Sequence, residues 1–124
     1  MAETNLKTEL ADIDSRIATL NKNIELGEAL QKLHENEDFK NVILEGYMDD
    51  EAERIFKVLI DPSHNLKRDI MENLMDKLMA IRSIKQYFGT ILINAAMAPE
   101  EIKNEEEYRK ETTERHALEE SSKE

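Results

Sequence analysis

The sequence predicts an all-α fold, and three observations carry that expectation. Only three glycines and two prolines interrupt 124 residues rich in Glu, Lys, Leu, Ile, Met and Ala, side chains that cost little in a helix. No segment alternates apolar and polar residues at period two long enough for a strand. One apolar row, Leu6, Leu10, Ile13, Ile17, Leu20 and Ile24, recurs at alternating steps of four and three, the spacing of a coiled-coil stripe. The predicted architecture is an N-terminal coiled-coil-like helix over 1–26, a small helical domain with one long helix over 27–98, and an acidic C-terminal tail over 99–124.

The first helix is expected from near Asn5 toward His34. Gly27 falls on the next heptad position, where it supplies no knob and costs about 1 kcal/mol against alanine. The apolar phase then changes to Leu26, Leu30 and Leu33, so Gly27 reads as a junction between coil and domain. Asn36 suits an N-cap, with Glu37 and Asp38 in a first turn whose dipole favours their charge. Phe39, Val42 and Ile43 form the buried face of a short helix that is expected to stop at Gly46, a natural residue past a helix end. Asp50 with Glu53 resembles a capping box for a third helix carrying Ala52, Ile55, Phe56, Leu59 and Ile60.

Pro62-Ser63-His64-Asn65 reads as a turn, with Ser63 or Asn65 capping a long helix over about 66–98. Pro99 then suits the first position of a new helix. Beyond it acidic residues outnumber basic ones two to one, and the apolar side chains are few: Ile102, Tyr108, Ala117 and Leu118. So little apolar surface predicts a fraying, solvated helix and a disordered end.

Charge narrows the function. The chain carries 28 acidic and 17 basic residues, a net charge of -11, and its densest basic pair, Lys67-Arg68, is followed at once by Asp69. Phosphate backbones and anionic membrane surfaces are bound through clustered Lys and Arg, so direct nucleic-acid and membrane binding are disfavoured. There is no cysteine, which removes disulfides, thiolate nucleophiles and Cys-based zinc sites. The opening MAETNLKTEL lacks the charge-then-apolar pattern of a signal peptide, and the most apolar stretch, residues 89–98, is half the length a bilayer requires. The expectation is a soluble protein.

No catalytic, cofactor or metal site is expected. His34, His64 and His116 are far apart and read as surface residues, with no pair at the i, i+4 spacing of two ligands on one helix face. Asp49-Asp50-Glu51 lacks the ligand spacing of a calcium loop and reads as helix capping. No Gly-rich phosphate loop or nucleophile elbow occurs. Two apolar rows point instead to partner contact. The Leu6–Ile24 stripe either folds back on the chain or pairs between chains, and its mix of Leu and Ile at both heptad positions sets no oligomer number. Met71, Met75 and Met79 line up at i, i+4 and i+8, one step round from Ile70, Leu74 and Leu78. They widen that face either for core filling or for an adaptable protein contact.

The run from Leu30 to Leu33, then Asp38-Phe39-Lys40-Asn41-Val42-Ile43-Leu44-Glu45-Gly46-Tyr47 and Glu51-Ala52-Glu53-Arg54-Ile55, resembles a group of small proteins encoded in tailed bacteriophages. Those share a DFK-x-VI-x-x-GY segment and an EA-x-R helix, followed by a helix like Ile81 to Phe88. Their genes commonly lie among those for capsid, portal and scaffold. The likeness covers about 30–98 and implies a structural or assembly role in the virion, with protein partners: further copies of itself, or head, portal or connector proteins. A homo-oligomer is the expected state, since a domain of this size is only marginally stable alone. Its place would be the host cytoplasm during assembly, or the virion. The rival expectation is a small acidic inhibitor of a host defence or nucleic-acid-binding protein, although Lys and Arg are mixed through most of the helices.

Overall fold

The computed structural model describes residues 2–122 and holds no strand among them. Met1, Lys123 and Glu124, the outer ends of the two terminal segments, lie outside the described residues. Helix α1 spans Ala2–Glu35, a single turn α2 spans Glu37–Phe39, a π-helical segment spans Lys40–Glu51, and α3 spans Ala52–Ile60. A 3-10 turn at Pro62–His64 leads to α4, which spans Arg68–Ser122. The all-α expectation holds. The chain divides into two compact units: residues 28–92, and residues up to Gly27 together with those from Ile93 onward. The terminal segments that the sequence separates, 1–26 and 99–124, therefore share one unit.

In the 28–92 unit, Asn36 caps as its side chain suggests, accepting a hydrogen bond from the Phe39 amide at 2.9 Å. Gly46 does not end the helix and Asp50 does not begin one. Backbone conformation stays helical from Phe39 across Ala52, and the segment widens to a π-helix instead. A Cβ on Gly46 would sit 3.0 Å from the carbonyl oxygen of Asn41, five residues back, so glycine relieves a tight contact inside the wide turn. Met48, Ile55 and Ile81 form the buried centre, surrounded by partly buried Leu44, Leu59, Leu74 and Leu78. Asp49 reaches Lys85 at 3.5 Å, which with the short connection after Ile60 sets α3 and α4 antiparallel.

Asp61 caps the 3-10 turn, and α4 begins only at Arg68, so neither Ser63 nor Asn65 caps it. Asp61 accepts from the Ser63 amide at 2.9 Å and from its hydroxyl at 2.7 Å, while Asn65 takes a left-handed conformation at φ 43. Those bonds from Ser63 hold the Asp61 carboxyl below its ordinary value. Its contribution to stability is therefore present above the unfolded pKa of about 4 and is lost as pH falls through the lowered folded value.

In the other unit, α1 and the C-terminal part of α4 lie antiparallel. Glu9 meets Arg115 at 3.1 Å and His116 at 3.0 Å, Asp14 meets Arg109, and Glu105 takes two bonds from Arg16 at 2.8 and 3.0 Å. These contacts set Leu6 level with His116, Leu10 with Thr112, Ile13 with Arg109, Ile17 with Glu105, Leu20 with Ile102 and Ile24 with Ala98. All twelve are buried or partly buried, and Ile13 is 0% exposed. The α4 row keeps heptad spacing from Ala98 to His116, although four of its six members are polar.

The fraying tail expected from composition is thus helical as far as Ser122 and packed as far as His116, and Pro99 lies inside α4 instead of starting a new helix. Proline removes an amide donor and crowds the carbonyl four residues back, here that of Ala95, at a typical cost of about 3 kcal/mol. Ala95 is also a point of close approach between the two helices. A Cβ built on Gly27 would collide with the Ala95 methyl. Gly27 does stand at the boundary between the two units, but as a buried point of close approach with α1 continuous through it rather than as a break in the helix.

Three outcomes are expected. Gly27→Ala should lose on the order of 1 kcal/mol, overpacking outweighing the better helix propensity. Adding Ala95→Gly should return most of that loss in chemical denaturation, whereas additive losses would show that the helices do not meet there. Thr112 is 1% exposed and its hydroxyl has no partner among the described residues. Thr112→Val should therefore raise stability by about 1 kcal/mol, and a loss would mean the hydroxyl is satisfied. Asp61→Ala should flatten the fall in melting temperature on acidification below about pH 4; an unchanged acid slope would contradict the role given to that carboxylate.

Candidate functional site

The two rows expected to meet partners have separate fates. Leu6, Leu10, Ile13, Ile17, Leu20 and Ile24 line the inner side of α1 and are covered by α4 of the same chain. While that pairing holds, they offer only their partly exposed edges to another molecule. Met71, Met75 and Met79 lie in the other unit and are not core: they are exposed along α4, Met79 to 65%.

The methionines have neighbours on α3 that sequence reasoning names only as part of that helix's apolar set. In α3 the inward positions are the buried Ile55 and the partly buried Leu59, and Phe56 and Ile60 follow each by one residue, 54% and 60% exposed. In α4, Met75 and Met79 likewise follow the partly buried Leu74 and Leu78 by one residue. Each step round an α-helix turns about 100°. In an antiparallel pair, the residues that follow the buried rows therefore come out on the same side. With Asp49 opposite Lys85, Ile60 lies level with Met75 and Phe56 close to Met79. Two helices thus present one apolar face built from Phe56, Ile60, Met71, Met75 and Met79. A legible signal existed: each helix carries two adjacent apolar rows, and a two-helix contact uses only one.

Charges frame this face. Arg68 bonds Glu72 at 3.3 Å, one turn apart, and both are largely exposed. Arg82 is exposed and has no acidic partner among the described residues. On α3, Arg54 holds Glu51 at 3.0 Å and Lys57 holds Glu53 at 2.9 Å. The hydrogen bond from Arg54 pulls the Glu51 carboxyl below its ordinary value, so it stays ionised through the neutral range. Contiguous exposed apolar patches with a polar rim mark protein contact sites, and methionine and phenylalanine are favoured members.

The remaining polar groups take structural positions. Asp49 and Glu51 make the ion pairs given above rather than capping a helix. Two of the three histidines are not surface residues of the kind expected. His34 packs between Phe39 and Phe88, with ring centroids at 6.0 and 5.9 Å, and the His116 side chain is 11% exposed beside Glu9. His64 lies exposed in the turn, its Nδ1 3.2 Å from the Val58 carbonyl oxygen. Among the described residues no three His, Asp or Glu side chains are grouped to hold a metal ion, and no helix is long and apolar enough to cross a membrane. Two shallow grooves occur in the α1–α4 unit, one beside Ser15, Thr19 and Glu101, the other beside Asn5, Glu9 and His116.

No protein-family model, no curated protein and no solved structure matches this chain.

Proposed function

We propose that this chain is a non-enzymatic assembly protein that acts by docking the Phe56–Met79 face on another protein surface. The observation that carries this reading is the exposure of five large apolar side chains on one side of α3 and α4. Burying such side chains is worth roughly 1.5–3 kcal/mol each, enough in sum for a specific protein contact. The likeness of residues 30–98 to the small proteins of phage structural gene modules supplies the setting: head, portal or connector assembly in the host cytoplasm, either as a transient scaffold-like component or retained in the virion. The mechanism is helix-face burial. It differs from the sequence-based expectation in one respect: the working surface is the methionine row, joined by α3, while the Leu6–Ile24 stripe is used inside the chain.

The test is sedimentation of proheads and virions from cells infected with a phage that encodes the chain, with its copy number read by mass spectrometry. Wild-type protein is expected in a particle fraction, and a Phe56→Asp/Met79→Asp variant at the top of the gradient. Wild-type protein absent from every particle fraction would overturn the assembly role and favour an acidic inhibitor acting on a free host protein.

A further inference from the structure

The face has a partner specified by its own charge pattern. Along α4, Arg68, Glu72, Met75, Met79, Arg82 and Gln86 recur at steps of four, three, four, three and four, a second heptad row distinct from the buried one. In an antiparallel coiled coil, the two kinds of heptad position meet each other across the seam. Pairing this row with itself about a two-fold axis near Lys77 sets Met75 against Met79 of the other copy, twice. The same operation sets Glu72 against Arg82, twice, and Arg68 against Gln86, twice. Every layer is compatible: two thioether contacts in the middle, an ion pair on each side of them, and a hydrogen-bonding pair at each end. Lys77, on the axis, lies about 200° round the helix from Met75 and points away from the seam.

We infer that the occupant of the Phe56–Met79 face is a second copy of this chain, joined through α4 as an antiparallel two-fold dimer. This rests on the docking reading above and names its partner. Two-fold symmetry makes the interface self-complementary, so one surface patch suffices on each subunit. Arg82, without an acidic partner among the described residues of its own chain, gains one. Glu72 then lies between its own Arg68 and the second copy's Arg82. Phe56 and Ile60 flank the methionine layers from α3 and enlarge the apolar centre, where most binding energy resides. The rim charges contribute chiefly register and orientation, because like charges in the same layers would be strongly unfavourable.

The experiment is mass by light scattering on the full chain over a wide concentration range, with circular dichroism as a check on folding. Wild type is expected at twice 14.4 kDa. Glu72→Arg places two arginines in each ion-pair layer and Arg82→Glu two glutamates, so each variant alone should dimerise at least about tenfold more weakly while keeping the wild-type helical content. An equimolar mixture of the two variants should recover the dimer. One variant then brings arginine to both ion-pair layers and the other brings glutamate to both, so each layer again joins opposite charges. Weakening by each single reversal together with this rescue is particular to the antiparallel register, because a parallel pairing would already set Glu72 on Glu72 and Arg82 on Arg82 in the wild type. A wild-type dimer indifferent to both charge reversals, or single variants that the mixture fails to rescue, would overturn it. Wild type monomeric at every concentration would also overturn it. If Phe56→Asp/Met79→Asp still left the particle fraction in that case, the face would dock a foreign protein and only the second copy would be excluded.

Discussion

The antiparallel pairing of α1 with the C-terminal part of α4 is the constraint on which the assignment of every other surface depends. It takes the strongest apolar row of the sequence out of contention as a partner surface. Its own energetics are uneven. Ile13, Leu20, Ile24, Ala98 and Ile102 give ordinary apolar packing, but Glu105, Arg109, Thr112 and His116 occupy inward positions with little to gain from leaving water. Partly exposed ion pairs add little net stability. What they do add is register, because Arg16 on Glu105, Arg109 on Asp14 and Arg115 with His116 on Glu9 agree on a single alignment, and a slip along the helices would break them together. The Glu105 hydrogen bond also pushes the Arg16 guanidinium further above its ordinary value, so Arg16 stays charged throughout the working range.

The close approach at Gly27 and Ala95 belongs to the same constraint. Pro99 disturbs α4 at the carbonyl of Ala95, and the only residue of α1 without a Cβ near that level is Gly27. A helix weakened at one point thus meets its neighbour where the neighbour is slimmest, and Ala98, 0% exposed, fills the contact between them. Packing that brings two backbones together at small residues compensates for the lost hydrogen bond at proline, and the helix continues for more than twenty residues beyond it.

Much of this was legible in the residues. The helical class, the Asn36 cap, the end of α3 before Asp61-Pro62 and the heptad row of α1 follow from local propensity and spacing. What was not legible shares a cause. The inward row of α4 after Ala98 keeps perfect heptad steps but fills them with Glu, Arg, Thr and His, so a reading based on hydropathy takes it for a solvated tail. Gly46 and Pro99 were read as helix punctuation, and the helix runs through both: a wide π turn absorbed one and neighbouring small residues accommodated the other, while Gly27 does mark a unit boundary, through a close approach rather than a break. At the candidate site, Met71, Met75 and Met79 were singled out by spacing alone. Phe56 and Ile60 were missed because a helix with two adjacent apolar rows does not reveal which row faces inward until its partner helix is known.

Hydrogen exchange measured along the intact chain tests the α1–α4 pairing most directly. The pairing predicts that amides of residues 102–116 exchange orders of magnitude more slowly than those of an unstructured peptide, and that those of 6–24 are protected to a similar degree because the two segments open together. Exchange of 102–116 at the free-peptide rate, with 6–24 exposed or protected only at high concentration, would contradict it: the stripe would then be open to a partner, and the methionine face would lose its standing as the free apolar surface.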